Sequence, residues 1–147
     1  MLADFGIALA VNEAAGARLT ETGISVGTPQ YMSPEQAQRK KIPVDHRTDV
    51  YSLGATLYEL LTLEPPFRGK DHNDTLSQII EQDPVPPSRI DARVPRDLET
   101  IVLKCLRKEA GDRYGTAEAL GQDLRRFVRR DAIEARPEGR WDRAVRF

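Results

Sequence analysis

The stretch 48-TDVYSLGATLYELLTLEPPF-67 decides the fold of this 147-residue chain. Val50, Leu53, Leu57, Leu60 and Leu61 recur at three- and four-residue spacing, which predicts a helix with one apolar stripe. Thr48 or Asp49 can accept from its first free backbone amides, and Pro65-Pro66 stops the run. Tyr51, Ala55 and Leu63 add apolar surface off the stripe. A helix that is apolar on more than one side belongs in the middle of a domain.

The residues that follow supply its partners. In 73-NDTLSQIIEQD-83, Asn73 or Asp74 can cap a short helix that turns Leu76, Ile79 and Ile80 to one side. The next stretch, 83-DPVPPS-88, is an extended proline-rich connector. In 95-PRDLETIVLKCLRKE-109, Pro95 stands in the first turn, and Leu98, Ile101, Val102, Cys105 and Leu106 form a clean stripe. Cys105 lies inside that stripe and reads as a small core residue, not a reactive thiol. A last helix is predicted in 116-TAEALGQDLRRFV-128, capped by Thr116 and burying Leu120, Leu124, Phe127 and Val128. The expected fold class is therefore mostly α, with almost no strand.

The flanks differ in character. Residues 10–30, AVNEAAGARLTETGISVGTPQ, keep no period and read as one long loop, the kind that in compact domains is functional or disordered. Residues 131–147 read as a basic linker or tail, in which Arg136, Arg140, Arg143 and Arg146 surround Trp141. A solvated helix end running into a linker accounts for that charge better than a membrane- or RNA-binding segment does.

Bulk composition excludes several classes. With 39% hydrophobic and 31% charged residues the chain is a soluble globular type, and a net charge of −1 gives no field to recruit nucleic acid. One cysteine excludes an internal disulfide and fits a reducing cytoplasm. No apolar run approaches the ~18 residues that a membrane span needs, and no signal peptide is recognisable. A cytoplasmic location is expected, with any membrane anchor of an intact parent placed beyond the tail.

Four motifs occur in order: Asp4-Phe5-Gly6 within LADFGIA, then 27-GTPQYMSPE-35, then 49-DVYSLG-54 heading the central helix, then 111-GDRYGTAEAL-120 opening the last. Together they closely resemble the C-terminal lobe of a bacterial (Hanks-type) serine/threonine protein kinase, over residues 2 to about 130. The resemblance divides the chain into a partial kinase domain, 1–130, with an activation segment at 4–35 and a helical subdomain at 44–130, followed by the tail.

The resemblance implies roles. Asp4 is the expected Mg2+ ligand, Phe5 a packed spine residue and Gly6 the turn beside ATP. Thr20 and Thr22 are candidate phosphosites, because a phosphate there can order a loop against arginine. Thr28 is expected to support a catalytic aspartate beside a protein substrate, and the Gly27-Thr28 start points to serine or threonine acceptors. Ser33 replaces the family's usual alanine, a mild variant. Glu35 is expected to form a buried ion pair with Arg113, and Asp49 to anchor the catalytic-loop backbone; these three are structural.

Other parts of the phosphoryl-transfer machinery are not found in the sequence. There is no GxGxxG stretch, no ATP-binding lysine strand and no His-Arg-Asp catalytic loop, since His46-Arg47 is followed by Thr48. The lobe is thus expected to be incomplete and inactive alone, with weak or no binding of Mg2+ and ATP. The stripe from Val50 to Leu61 is expected to be partly uncovered, each exposed aliphatic side chain forgoing roughly 1.5–3 kcal/mol of burial. The chain is therefore expected to be marginal or partner-dependent. Two alternatives stay open: a non-catalytic module binding kinases, substrates or regulators, and the C-terminal half of a split kinase completed by an N-lobe segment.

Overall fold

A computed structural model describes residues 29–38 and 43–138. Asp4, Phe5, Gly6, Thr20, Thr22, Thr28 and Trp141 lie outside the described residues. The order of elements is a 3-10 turn at Pro29–Tyr31, α1 at Pro34–Ala37, α2 at Arg47–Thr62, α3 at His72–Glu81 and α4 at Pro87–Ile90. Then come α5 at Arg96–Cys105, a second 3-10 turn at Ala110–Asp112, and α6 at Ala117–Arg129. No strand occurs among the described residues.

The central helix is central. α5 is the main partner of α2, and α4 and α6 also lie against it. Val50 joins Ile101, Cys105, Tyr114 and Leu120 in one cluster, while Tyr51, Ala55 and Tyr58 join Val102 and Leu106 in a second. A third cluster, Ala37, Phe67 and Ile79, seats α1 against α3. The Cys105 thiol is pushed up to about 12 by burial, as befits a core residue.

The buried face of α2 is not the leucine stripe. Val50, Tyr51, Gly54, Ala55, Tyr58 and Thr62 face inward, whereas Leu53 is 45% and Leu60 70% exposed. At 100° per residue the inward face is turned by about a third of a turn from the stripe. The reason is steric. Gly54 and Ala55 let α5 approach closely, and the two tyrosine rings fill more core than the leucines do. Leu57 and Leu61 remain partly buried at the edge of the second cluster. Val128 of α6 is also exposed, lying off the face that carries Leu120, Leu124 and Phe127.

Helix starts also depart from expectation, each for a local reason. Neither Thr48 nor Asp49 caps α2. Its N-cap is His46, without a side-chain cap bond, while the Asp45 carboxylate accepts from the Arg47 amide at 2.9 Å. The Thr48 hydroxyl is committed elsewhere, donating to Glu35. Asp71, and neither Asn73 nor Asp74, caps α3 by accepting from the Asp74 amide at 2.8 Å. Pro95 is the N-cap of α5, one residue ahead of its first turn. Thr116 caps α6 as the sequence predicts, accepting from the Ala119 amide at 3.0 Å.

Core packing continues past residue 130. Arg130 ends α6 in the left-handed region, φ 61°, and the chain turns back so that Ile133 and Ala135 are buried in the first cluster. Apolar side chains at alternate positions give this segment one inward face, which the arginine-rich composition conceals.

Candidate functional site

The segment after Thr28 is pinned to α2 at several points. The Ser52 hydroxyl donates to the Tyr31 carbonyl at 3.0 Å, and the Tyr31 hydroxyl donates to Glu59. Ser33 caps α1 in a reciprocal box: its hydroxyl accepts from the Gln36 amide, and its own amide donates to the Gln36 side chain at 3.1 Å. Pro34 at the first helical position suits a site with no free amide to satisfy. This short helix turns Glu35 toward the interior and packs Ala37 on Phe67 and Ile79.

Glu35 and Arg113 meet there although 78 residues separate them in sequence. The Arg113 guanidinium donates to both Glu35 oxygens, at 2.7 and 2.8 Å. The Arg113 side chain is 0% exposed and that of Glu35 11%. Arg113 also donates to three backbone carbonyls, those of Arg107 at 2.7 Å, Lys108 at 3.0 Å and Arg47 at 3.1 Å. These five bonds use all five N–H donors that a guanidinium has. Its flat face lies over the Tyr51 ring, 5.0 Å from the centroid.

Two hydroxyls complete the arrangement. Thr48 donates to Glu35 Oε1 at 2.8 Å, and its oxygen lies 3.2 Å from that of Ser33. Both residues are buried. Burial alone would raise the Glu35 carboxyl, but the bonds from Arg113 and Thr48 outweigh it and hold the group at about 2. A carboxylate held that low, with both oxygens committed to donors, is a weak proton acceptor. The arrangement ties the end of the segment at Glu35 to α2 and to Arg113 after the second 3-10 turn.

Of the residues singled out in the sequence, the structure thus brings Glu35 and Arg113 together. Asp49 stands apart from them, exposed in the first turn of α2. Sequence reasoning missed the Ser33–Thr48 pair. The pattern Ser-Pro-Glu-Gln at 33–36 carried the capping-box signal that would have found Ser33; nothing local marked Thr48. Among the described residues no group of three or more His, Cys, Asp or Glu side chains is arranged to hold a metal, and no helix is long and apolar enough to cross a membrane.

The sequence matches the protein kinase domain family over residues 1–124. It is 47% identical over 132 residues to the serine/threonine-protein kinase PknB of Mycolicibacterium smegmatis, covering 90% of this chain and 21% of that protein. It is 45% identical over 132 residues to the PknB of Mycobacterium tuberculosis strain H37Rv, with the same two coverages. Against the probable serine/threonine-protein kinase PknB of Corynebacterium glutamicum it is 42% identical over 130 residues, covering 86% of this chain and 20% of that protein. The chain spans about a fifth of the length of these curated relatives.

Proposed function

Because the chain belongs to the protein kinase domain family, we propose that it supplies the activation segment and helical substrate-side lobe of a serine/threonine kinase, and that these 147 residues transfer no phosphate by themselves. The observation that carries this reading is the Glu35–Arg113 pair, which fastens the Ser33–Glu35 end of the segment to the helical core. A loose phosphoryl-transfer transition state asks a protein mainly for positioning and charge neutralisation. A rigid platform beside the acceptor hydroxyl meets the positioning half of that demand.

In this reading Asp4 would hold Mg2+ and Phe5 and Gly6 would shape the turn beside ATP, the nucleotide and metal together supplying the phosphoryl group and its charge neutralisation. Thr28 supports the acceptor site for a protein serine or threonine. At least one of Thr20 and Thr22 receives regulatory phosphate, and Asp49 steadies the catalytic loop of the intact kinase from the first turn of α2. The strand lysine, glycine-rich loop and His-Arg-Asp base are contributed by residues other than these 147.

The reading is tested with the purified chain, Mg-ATP and a generic basic protein. Transfer no greater than a protein-free blank is expected; turnover that Asp4→Ala abolishes would overturn it. The DNA just upstream tests whether the chain is part of an intact kinase gene. In-frame codons there should spell a catalytic loop and a glycine-rich loop.

A second reading, the carboxy-terminal half of a split kinase, is favoured by Leu53 and Leu60, large aliphatic side chains left exposed on α2. It requires that a separately produced amino-terminal piece, mixed with this chain, restore transfer to the basic protein. No gain on mixing removes it.

A further inference from the structure

Asp123 of α6 is fully buried, 0% exposed, and takes no part in the anchor. A carboxylate is kept in a protein interior only when its oxygens are bonded, and here four donors converge on it. The Tyr114 hydroxyl donates at 2.7 Å and the Arg126 guanidinium at 3.0 Å. The other two are backbone amides of the segment that leaves α6, Glu134 at 2.7 Å and Ala135 at 3.0 Å. Burial works to raise the carboxyl, but these bonds prevail and hold it near 2, so it grips as an anion at neutral pH.

Asp123 therefore fastens a strap, residues 133–136, whose Ile133 and Ala135 side chains enter the core. Two routes run from this strap to the Glu35 anchor. In one, Asp123 holds the Tyr114 hydroxyl, and Tyr114 is the chain neighbour of Arg113. In the other, the Arg136 carbonyl accepts from Arg107 at 3.0 Å, and the Arg107 carbonyl accepts from Arg113 Nε at 2.7 Å. Both routes end on the guanidinium that holds Glu35.

We propose that seating of the strap on Asp123 is energetically coupled to the Glu35–Arg113 pair, so that the chain leaving the helical lobe and the end of the activation segment stabilise each other. The coupling stands on the bonds themselves; its meaning as regulation of the acceptor platform rests on the kinase-lobe reading. A segment drawn off by whatever follows it in the chain then loosens the platform from behind. Ordering of the activation segment tightens the strap in return, because coupling between two sites is reciprocal.

Amide hydrogen exchange on the 147-residue chain tests this in both directions. Asp123→Asn should speed exchange in 131–138 and, by threefold or more, in 33–38. The second half of α2, residues 55–62, packs in a different cluster and should keep its rates. Glu35→Gln should in turn speed exchange in 133–136. Unchanged rates at the far site in either variant overturn the coupling. Where Asp123→Asn raises exchange throughout the chain, Tyr114→Phe decides. It loosens the grip of Asp123 on the strap by removing one of its four donors and keeps the ring in the core; faster exchange at 33–38 supports the proposal and parent-like rates there sink it. No phosphoryl transfer is read, so an error in the kinase reading leaves these outcomes intact and shows itself only in the transfer assay.

Discussion

Gly54 of α2 lies so close to Cys105 of α5 that a β-carbon built on the glycine would sit 2.3 Å from the cysteine's own. No rotamer change relieves a contact between two β-carbons, so the helices themselves must part. Gly54→Ala is therefore expected to destabilise the chain by about 1–3 kcal/mol, against a helix-propensity gain of up to about 1 kcal/mol. A lowered thermal midpoint is the readout. Cys105→Ala should not rescue it, because the offending β-carbon remains. A Gly54→Ala chain as stable as the parent would show that α2 and α5 can separate freely.

Glu35→Gln and Arg113→Met each leave one member of a buried ion pair without its partner. Each is expected to cost roughly 3–5 kcal/mol, read from urea midpoints. Arg113→Lys should recover little of that loss. An ammonium has three donors against the five in use and cannot span both Glu35 oxygens and three carbonyls at once. A lysine variant with parent stability would mean that the carbonyl bonds contribute nothing.

What the sequence made legible was order and partnership. The four motifs named the family, and the Glu35–Arg113 pairing followed from it across 78 residues. Periodicity located every long helix among the described residues, yet it misjudged which side of α2 faces inward. The leucines dominate a hydrophobicity count, while the packing is decided by Gly54, Ala55 and two tyrosines that such a count undervalues. The strap was hidden for a related reason. Ile133 and Ala135 are two apolar residues in an arginine-rich run, and only a tertiary partner, Asp123, turns them into an element. A buried aspartate in an amphipathic helix looks, in sequence, like any solvated one.

Acid should unfold the chain through two groups. Glu35 falls from its ordinary 4.5 to about 2, and Asp123 from 3.8 to about 2. Because folding depresses both, the stability they contribute is fully present above those ordinary values and is lost as the pH falls toward 2. Urea midpoints are therefore expected to hold steady above about pH 5 and decline steeply below it. Glu35→Gln and Asp123→Asn should each lower the plateau and flatten the decline. Asp45 and Asp91, paired with Arg47 and Arg93, are also depressed, but these pairs sit on the surface, where ion pairs contribute little. Asp45→Asn should leave the slope as it is; a slope that vanishes with it would reassign the acid sensitivity.

Two tyrosines on the inward face of α2 make a matched pair. The Tyr58 hydroxyl donates to the Val85 carbonyl at 2.6 Å, tying α2 to the connector before α4. The Tyr51 hydroxyl is buried with no hydrogen-bond partner among the described residues, while its ring carries the Arg113 guanidinium. A buried hydroxyl left unsatisfied costs roughly 1–3 kcal/mol. Tyr51→Phe removes that cost and keeps the ring, so its thermal midpoint should match or exceed the parent's. Tyr58→Phe breaks a bond and orphans a carbonyl, and should lower stability by about 1 kcal/mol or more. The order of the two midpoints is the test. Tyr51→Phe melting below Tyr58→Phe would mean that the Tyr51 hydroxyl has a stabilising role that its surroundings here do not explain.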